Sequence, residues 1–115
     1  MDRQLKKGLL EYCVLTAICK NDSYGYKIIE EMSPYVDISE STLYPILRRL
    51  EASGKIQSYN TEYNNRIRKY YSITVEGIKK LNDFKKDRVE LLRVLAFIAG
   101  GNIHEQTGIL EKTEL

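Results

Sequence analysis

The stretch STLYPILRRLE, residues 41–51, decides the fold because it has the pattern of a helix and yet contains a proline. Its apolar residues recur at helical spacing and would form one buried face: Leu43, Ile46, Leu47 and Leu50. A cap at Ser39 or Ser41 would place Pro45 near the helix start, where few backbone donors require a partner. The pattern therefore predicts one helix that continues through Pro45.

The opposite face of this predicted helix is small, hydroxylated and basic. At about 100° per residue, Ser41, Pro45 and Arg48 lie on the side away from Leu43. Hydroxyls near the amino end can bind phosphates or base edges, and arginine can bind guanine. The segment thus contributes a first set of predicted DNA-contacting residues: Ser39, Ser41, Thr42, Tyr44, Pro45, Arg48, Arg49 and Lys55. A solvated helix face is the alternative for this segment taken alone.

Length and composition indicate one small soluble domain. The chain has 115 residues, of which 43% are hydrophobic and 30% charged, and its formal net charge is +2. Positive charge is concentrated between Glu40 and Tyr70, where six basic residues face three acidic ones. The sequence has no apolar run of about 18 residues and no signal-type start, so we expect a cytoplasmic protein without membrane contact.

Two helices are predicted before residue 41. The first, about Gln4–Lys20, is apolar on nearly every side from Leu9 to Cys19, so we expect it to be covered on two sides. The second is YGYKIIEEM, residues 24–32, with Asp22 or Ser23 as its cap. Cys13 and Cys19 lie in an apolar run and form no CxxC pattern, which favours buried reduced thiols over the alternative of a metal or redox-sensor site.

A β-hairpin is predicted after the proline-containing helix. Lys55–Tyr63 and Arg68–Ile73 have strand-like composition. Between them, the turn predicted at Asn64-Asn65-Arg66 tolerates positive φ. Amides and guanidinium groups at this tip can contact phosphates or a narrow minor groove. The hairpin completes the predicted DNA-contacting set: Asn64, Asn65, Arg66, Arg68 and Lys69.

The last predicted helix covers about residues 75–99 and changes character along its length. Its second half, VELLRVLAFIA at residues 89–99, is apolar on two lines and requires two neighbours. Three helices followed by a hairpin is the order of a helix-turn-helix with a β-wing. The predicted fold class is therefore mainly α with a small β-hairpin (α+β), in which a winged helix-turn-helix precedes a long C-terminal helix.

Three motifs carry a resemblance to a known family: YGY at residues 24–26, TLYPILRRLE at 42–51 and RKYYSIT at 68–74. In this order they resemble the PadR family of winged-helix transcriptional regulators, over residues 5–92. The resemblance implies a homodimeric, DNA-binding repressor without cofactor or catalytic activity. It also implies three regions: a DNA-binding domain at residues 1–74, a dimerisation helix at 75–100, and a polar tail at 101–115 that we expect to be flexible. Two-fold symmetry then predicts a pseudo-palindromic operator.

Regulation and two other classes of function complete the sequence-based predictions. A small-molecule effector between the first helix and the partner's last helix could change the spacing of the recognition helices. Its expected lining, which also marks the dimer region, is Leu9, Tyr12, Cys13, Thr16, Leu91, Val94, Phe97 and Ile98. Core packing is the alternative role for each of these residues.

A winged-helix protein-interaction module without DNA binding is the alternative function, and it predicts no salt-dependent affinity for duplex DNA. An enzyme is disfavoured because the chain has one histidine, no paired carboxylates on a shared face and no nucleophile beside a base. No catalytic residue and no metal ligand is therefore predicted.

Overall fold

The computed structural model describes residues 1–101, which form five helices and a two-stranded antiparallel sheet. In chain order these are α1 (Arg3–Lys20), α2 (Gly25–Met32), α3 (Glu40–Ala52), β1 (Ile56–Tyr63), β2 (Arg66–Ile73), α4 (Val75–Lys86) and α5 (Arg88–Ile98). The predicted mainly α fold with a small β-hairpin is confirmed. Apart from Gly101, the predicted tail at residues 101–115 lies outside the described residues.

The chain divides into two compact units, of which the first is Met1–Leu81 and the second begins at Asn82. The core of the first unit joins α1, α2, α3 and the hairpin. Its largest fully buried apolar side chains are Leu15, Ile18, Ile28, Leu43, Ile46, Leu47, Leu50 and Ile56. Burial of one such side chain contributes about 1.5–3 kcal/mol, so this face of α3 fixes the rotation of the helix and leaves the opposite face outward.

The helix α3 is capped by Ser39 and continues through its proline, as predicted. The Ser39 hydroxyl accepts a hydrogen bond from the backbone N–H of Thr42 at 3.3 Å. The helix ends at Ser53 and is followed by Gly54, whose φ of +75° suits a helix-terminating glycine. Pro45 therefore lies inside a continuous helix, on the side away from the buried leucines.

The hairpin closes with a two-residue turn at Asn64 and Asn65, whose φ angles are 51° and 63°. Positive φ at both positions is typical of the tight turns that match strand twist, and asparagine tolerates it. The turn is one residue shorter than predicted, since β2 already begins at Arg66 paired with Tyr63.

The residues before α2 extend the sheet instead of capping the helix. The backbones of Ser23 and Tyr71 exchange two hydrogen bonds, of 3.0 and 2.7 Å, and Ser23 is buried. The predicted cap at Asp22 or Ser23 is wrong, because the bridge to β2 holds Ser23 in the sheet and Tyr24 precedes the helix.

The start of α4 packs tightly against the base of the hairpin. The Thr74 hydroxyl donates to the carbonyl of Gly54 at 2.6 Å and accepts from the N–H of Gly77 at 3.1 Å, so Thr74 caps α4. A Cβ atom at Gly77 would collide with the carbonyl oxygen of Lys55. Glycine is thus required for this close approach.

The single last helix predicted for residues 75–99 is interrupted at Asp87. The N–H of Asp87 donates to the carbonyl of Phe84, three residues earlier. The N–H of Leu91 then donates to the carbonyl of Asp87, four residues earlier, at 2.8 Å, so the α-helical pattern starts again there. The surrounding sequence contains no proline or glycine that would have indicated a break. Aspartate has a low helix propensity and favours cap positions, which fits the boundary at this residue.

Two further sequence-based expectations concern thiols and membranes. Cys19 is exposed, so the prediction of a buried thiol is wrong there, because Cys19 is rotated away from the buried face that Ile18 occupies. Cys13 is half-buried, and this burial raises the pKa of its thiol. No helix within residues 1–101 has the length and apolar character needed to cross a membrane.

Candidate nucleic-acid interface

The outward face of α3 presents hydroxyls beside a cation. Ser41, Thr42, Tyr44 and Arg48 are exposed there. The Ser39 hydroxyl lies 2.9 Å from that of Ser41 and 3.2 Å from that of Thr42, so three hydroxyls cluster at the amino end of the helix. This end of α3 can donate and accept hydrogen bonds toward a polyanion, and Arg48 adds a positive charge one to two turns further along.

A groove separates the starts of α2 and α3 from the hairpin, which we call the wing. This wing groove has a volume of about 840 Å³. Its lining combines aromatic and basic side chains, including Tyr24, Tyr26, Tyr44, Tyr63, Arg66, Arg68 and Lys69. A Cβ atom on Gly25 would lie 2.7 Å from the Tyr44 hydroxyl, so Gly25 makes room for Tyr44.

Sequence reasoning missed the tyrosines of α2 and the wing as groove residues. Tyr26 and Tyr63 are 65% and 56% exposed, although each has a large apolar ring. The YGY motif was the available signal, but it was interpreted only as the start of a helix and as a family motif.

Arg68 is held between two tyrosine rings. Its guanidinium lies 4.1 Å from the ring centre of Tyr24 and 4.7 Å from that of Tyr63. Such cation–π contacts contribute about 0.5–1 kcal/mol each at exposed sites. Arg68 therefore fastens the wing to the start of α2, whereas Arg66 two residues earlier is exposed at the tip.

The aromatic cluster continues along the same face of the wing. The ring of Tyr70 packs edge-on against Tyr24 at 5.3 Å and stacks on Tyr59 at 5.8 Å. The Tyr59 hydroxyl donates to the carboxylate of Asp22 at 2.6 Å, and this hydrogen bond raises the pKa of the phenol. The outer face of the hairpin is thus tied to the segment that precedes α2.

The inner face of the wing is tied to α3 through Glu51. Its carboxylate accepts a hydrogen bond from the Ser58 hydroxyl at 2.5 Å and lies 4.0 Å from the Lys69 ammonium. Tyr71 is buried behind this pair, and burial, followed by the charge of Glu51, raises the pKa of its phenol. The wing and α3 therefore hold a fixed relation, although the exposed Lys69–Glu51 pair itself contributes less than about 1 kcal/mol.

Two of the predicted DNA-contacting residues, Arg49 and Lys55, lie away from the outward face of α3 and the wing tip. Arg49 turns toward α1, where its Nε donates to the Glu11 carboxylate at 3.3 Å, and its Nη2 is buried without a hydrogen-bond partner within residues 1–101. Lys55 lies at the base of the hairpin with its ammonium 3.4 Å from the Ser53 carbonyl. Since the eight residues of β1 rise about 27 Å, Lys55 is far from the tip at Asn64, Asn65 and Arg66.

Comparison with known proteins identifies the family. Residues 14–83 match the model of the transcriptional regulator PadR-like family. This chain belongs to that family. The expected resemblance is therefore confirmed, and the PadR-like family is one of transcriptional regulators and not of enzymes.

Individual relatives and solved structures match most of the chain. The crystal structure of smu.1704 from Streptococcus mutans UA159 has 39% identity and a TM-score of 0.72, covering 82% of this chain and 90% of that one. The transcriptional regulator Rv3488 of Mycobacterium tuberculosis is 29% identical over 103 residues, which cover 89% of this chain and 94% of the regulator. Bacillus subtilis PadR in complex with operator DNA has 26% identity and a TM-score of 0.62, covering 66% of this chain and 46% of that chain.

The residues predicted for the dimer and effector region of this PadR-like chain fall in both compact units. On α1, Leu9, Tyr12, Cys13 and Thr16 share one side and are half-buried. The Thr16 hydroxyl donates to the Tyr12 carbonyl at 2.8 Å. On α5, Leu91, Val94, Phe97 and Ile98 are all exposed. Each set forms an apolar surface on its own helix.

Proposed function

We propose that the protein is a homodimeric, sequence-specific DNA-binding repressor of the PadR type that an effector releases from its operator. One observation carries the proposal: the hydroxyl-bearing, basic face of α3 lies outward, and the wing beside it ends in an exposed basic tip. Support comes from Bacillus subtilis PadR, a similar protein whose structure is a complex with operator DNA. The cytoplasmic location expected from the sequence remains part of the proposal.

In this proposal α3 is the recognition helix and enters the major groove. Ser41, Thr42 and Arg48 then face base edges and phosphates, with Tyr44 at the rim. Asn64, Asn65 and Arg66 at the wing tip contact the flanking backbone or minor groove. Arg49 and Arg68 contribute less directly, because Glu11 already engages the first and two tyrosine rings the second.

The homodimer is supported by the apolar side chains that α5 exposes. Phe97 and Ile98 are 84% and 72% exposed, and a soluble protein covers such a surface by association. A two-fold dimer presents its recognition helices about 34 Å apart, which requires a pseudo-palindromic operator. The proposal keeps a DNA-binding domain at residues 1–74 and a dimerisation helix at residues 75–100, and the first compact unit extends to Leu81.

Regulation follows from the same arrangement. An effector bound between the apolar side of α1 and the α5 helix of the partner would alter the separation of the recognition helices. Leu9, Tyr12, Cys13 and Thr16 offer an apolar and weakly polar surface for this purpose. The chemical identity of the effector is open, but the lining favours an uncharged, largely apolar molecule.

The first experiment selects bound duplexes from a random pool and then measures affinity for the selected sequence by fluorescence anisotropy at several salt concentrations. Arg48→Ala and Arg66→Ala should each weaken operator binding by about 1–3 kcal/mol, roughly 5- to 150-fold, while the dimer stays intact. Arg48→Ala should also relax base preference at one position of each half-site. Lys79→Ala, which removes an exposed cation from α4, is the matched control.

Three outcomes separate the candidate functions. A palindromic selected sequence with steeply salt-dependent affinity supports the repressor. Unchanged affinity in both arginine variants refutes the assignment of this face to DNA. Absence of any salt-dependent duplex binding by the unaltered protein favours the alternative, a winged-helix module that contacts another protein.

A further inference from the structure

A second basic groove lies on the other side of α3 from the wing, between its first turns and the start of α1. This amino-terminal groove has a volume of about 560 Å³. Its α1 side includes Arg3, Lys6 and Lys7, and its α3 side includes Ser41, Thr42 and Pro45. Arg49 is a fourth basic residue of the lining, which contains no aspartate or glutamate among its described residues. The lining therefore carries an excess of positive charge, although Arg49 is paired with Glu11.

The cations of α1 are not neutralised within the described part of the chain. Ion pairs between described residues include those of Arg49, Lys69 and Lys86, and Arg3, Lys6 and Lys7 form none with an acid of residues 1–101. The neighbouring acid, Asp2, is engaged as the cap of α1 and accepts the N–H groups of Gln4 and Leu5 at 3.1 and 3.2 Å. Among residues 1–101, these three cations thus have no acidic partner and are available for an external anion.

The amino-terminal groove is continuous with the outward face of α3. Ser41 and Thr42 belong to both surfaces, so a polyanion that lies against α3 meets the α1 cations without a gap. Arg3 and Lys7 are one helical turn apart and lie on the same side of α1. A DNA duplex carries one negative charge per about 1.7 Å of its axis, and its backbone strand can contact several cations so arranged.

We propose that the amino-terminal groove binds the phosphate backbone of the same duplex whose bases α3 contacts. Each protomer then contacts the DNA backbone on both sides of its recognition helix, through the wing on one side and through Arg3, Lys6 and Lys7 on the other. The inference rests on the proposed function as a DNA-binding regulator. Because phosphates carry no base identity, this groove contributes affinity and register, and base preference stays with α3.

The test compares the double variant Lys6→Gln/Lys7→Gln with Lys20→Gln/Lys79→Gln, which removes the same charge at two exposed positions outside both grooves. Glutamine preserves helix propensity and keeps an uncharged polar side chain. Affinity is measured for the selected operator and for a scrambled duplex over a series of salt concentrations. A third variant, Lys6→Arg/Lys7→Arg, restores the charge.

The Lys6→Gln/Lys7→Gln variant should lose about tenfold or more in affinity for both duplexes alike at low salt. The slope of log affinity against log salt should decrease by about 3.6 for the dimer, since each of its two protomers loses two phosphate contacts and each contact contributes about 0.9. The arginine variant should behave as the unaltered protein, and the control should keep the full slope.

An unchanged salt slope and operator affinity in Lys6→Gln/Lys7→Gln overturn the inference while the repressor function stands. A loss confined to the operator also overturns it, because a phosphate contact must act on every duplex. If the unaltered protein binds no duplex at all, the proposed function fails first and this inference fails with it. Circular dichroism and sedimentation confirm that each variant keeps its fold and assembly.

Discussion

The helices α3 and α5 are both rich in apolar residues, but they place them in opposite environments. In α3 the apolar face is covered, and Leu43, Ile46 and Leu47 are at most 2% exposed. In α5 only Ala96 is buried, while Leu95 and Phe97 are 49% and 84% exposed. The first unit therefore covers the apolar face of α3, whereas α5 exposes apolar side chains of the kind found at interaction surfaces.

This contrast indicates a division of labour between stability and association. The apolar face of α3 is a determinant of folding, because its removal would open the core of the first unit. In the proposed dimer, the apolar face of α5 is a determinant of assembly, because its side chains gain burial only when another surface covers them. Substitutions of the same chemical kind in the two helices should consequently have different effects.

Leu47→Ala should produce the largest effect on stability. Leu47 is 1% exposed, and truncation of a buried leucine costs about 2–5 kcal/mol through lost burial and the remaining cavity. The matched change Leu95→Ala, at a half-exposed position of α5, should cost less than half as much. Urea unfolding followed by circular dichroism at low protein concentration measures both. Equal losses would show that α3 and α5 do not differ in the way the exposures indicate.

Phe97→Ser should weaken association with a smaller effect on the first unit. Burial of a phenylalanine contributes about 1.5–3 kcal/mol, so the dimer should dissociate at a concentration at least tenfold higher. Sedimentation equilibrium measures this change. Ile67→Ser, at a 77% exposed apolar position near the wing tip, is the control and should leave the mass unchanged. A dimer of unaltered strength in Phe97→Ser would remove α5 from the proposed interface.

The parts of the fold that could be predicted are those with local causes. The spacing of Leu43, Ile46, Leu47 and Leu50 determines which face of α3 is buried, whatever covers it. Ser39 caps the helix three residues from its partner, and the two asparagines form the turn by themselves. These features need no knowledge of distant residues, so α3 and the wing could be predicted from the sequence.

The behaviour of individual cations could not be predicted, because distant residues determine it. Arg48 and Arg49 are equivalent by composition, but Arg49 meets Glu11, 38 residues away, while Arg48 stays exposed. Arg68 is similarly engaged by the ring of Tyr24, which lies far from it in the sequence, at the start of α2. The amino-terminal cations were overlooked because nothing local indicates that α1 starts beside α3.

The smallest expected effect compares how α3 and α5 begin. The Ser39 hydroxyl caps α3, whereas Asp87 precedes α5 without a side-chain cap hydrogen bond. Ser39→Ala should therefore cost about 1 kcal/mol of the free energy of unfolding, measured by urea unfolding. Asp87→Ala should cost less, since it removes no such bond and places a strong helix former between α4 and α5. A loss in Asp87→Ala as large as in Ser39→Ala would mean that the break at Asp87 is itself stabilising. An increase in helical circular dichroism for Asp87→Ala would instead show that one aspartate keeps residues 75–98 from forming a single helix.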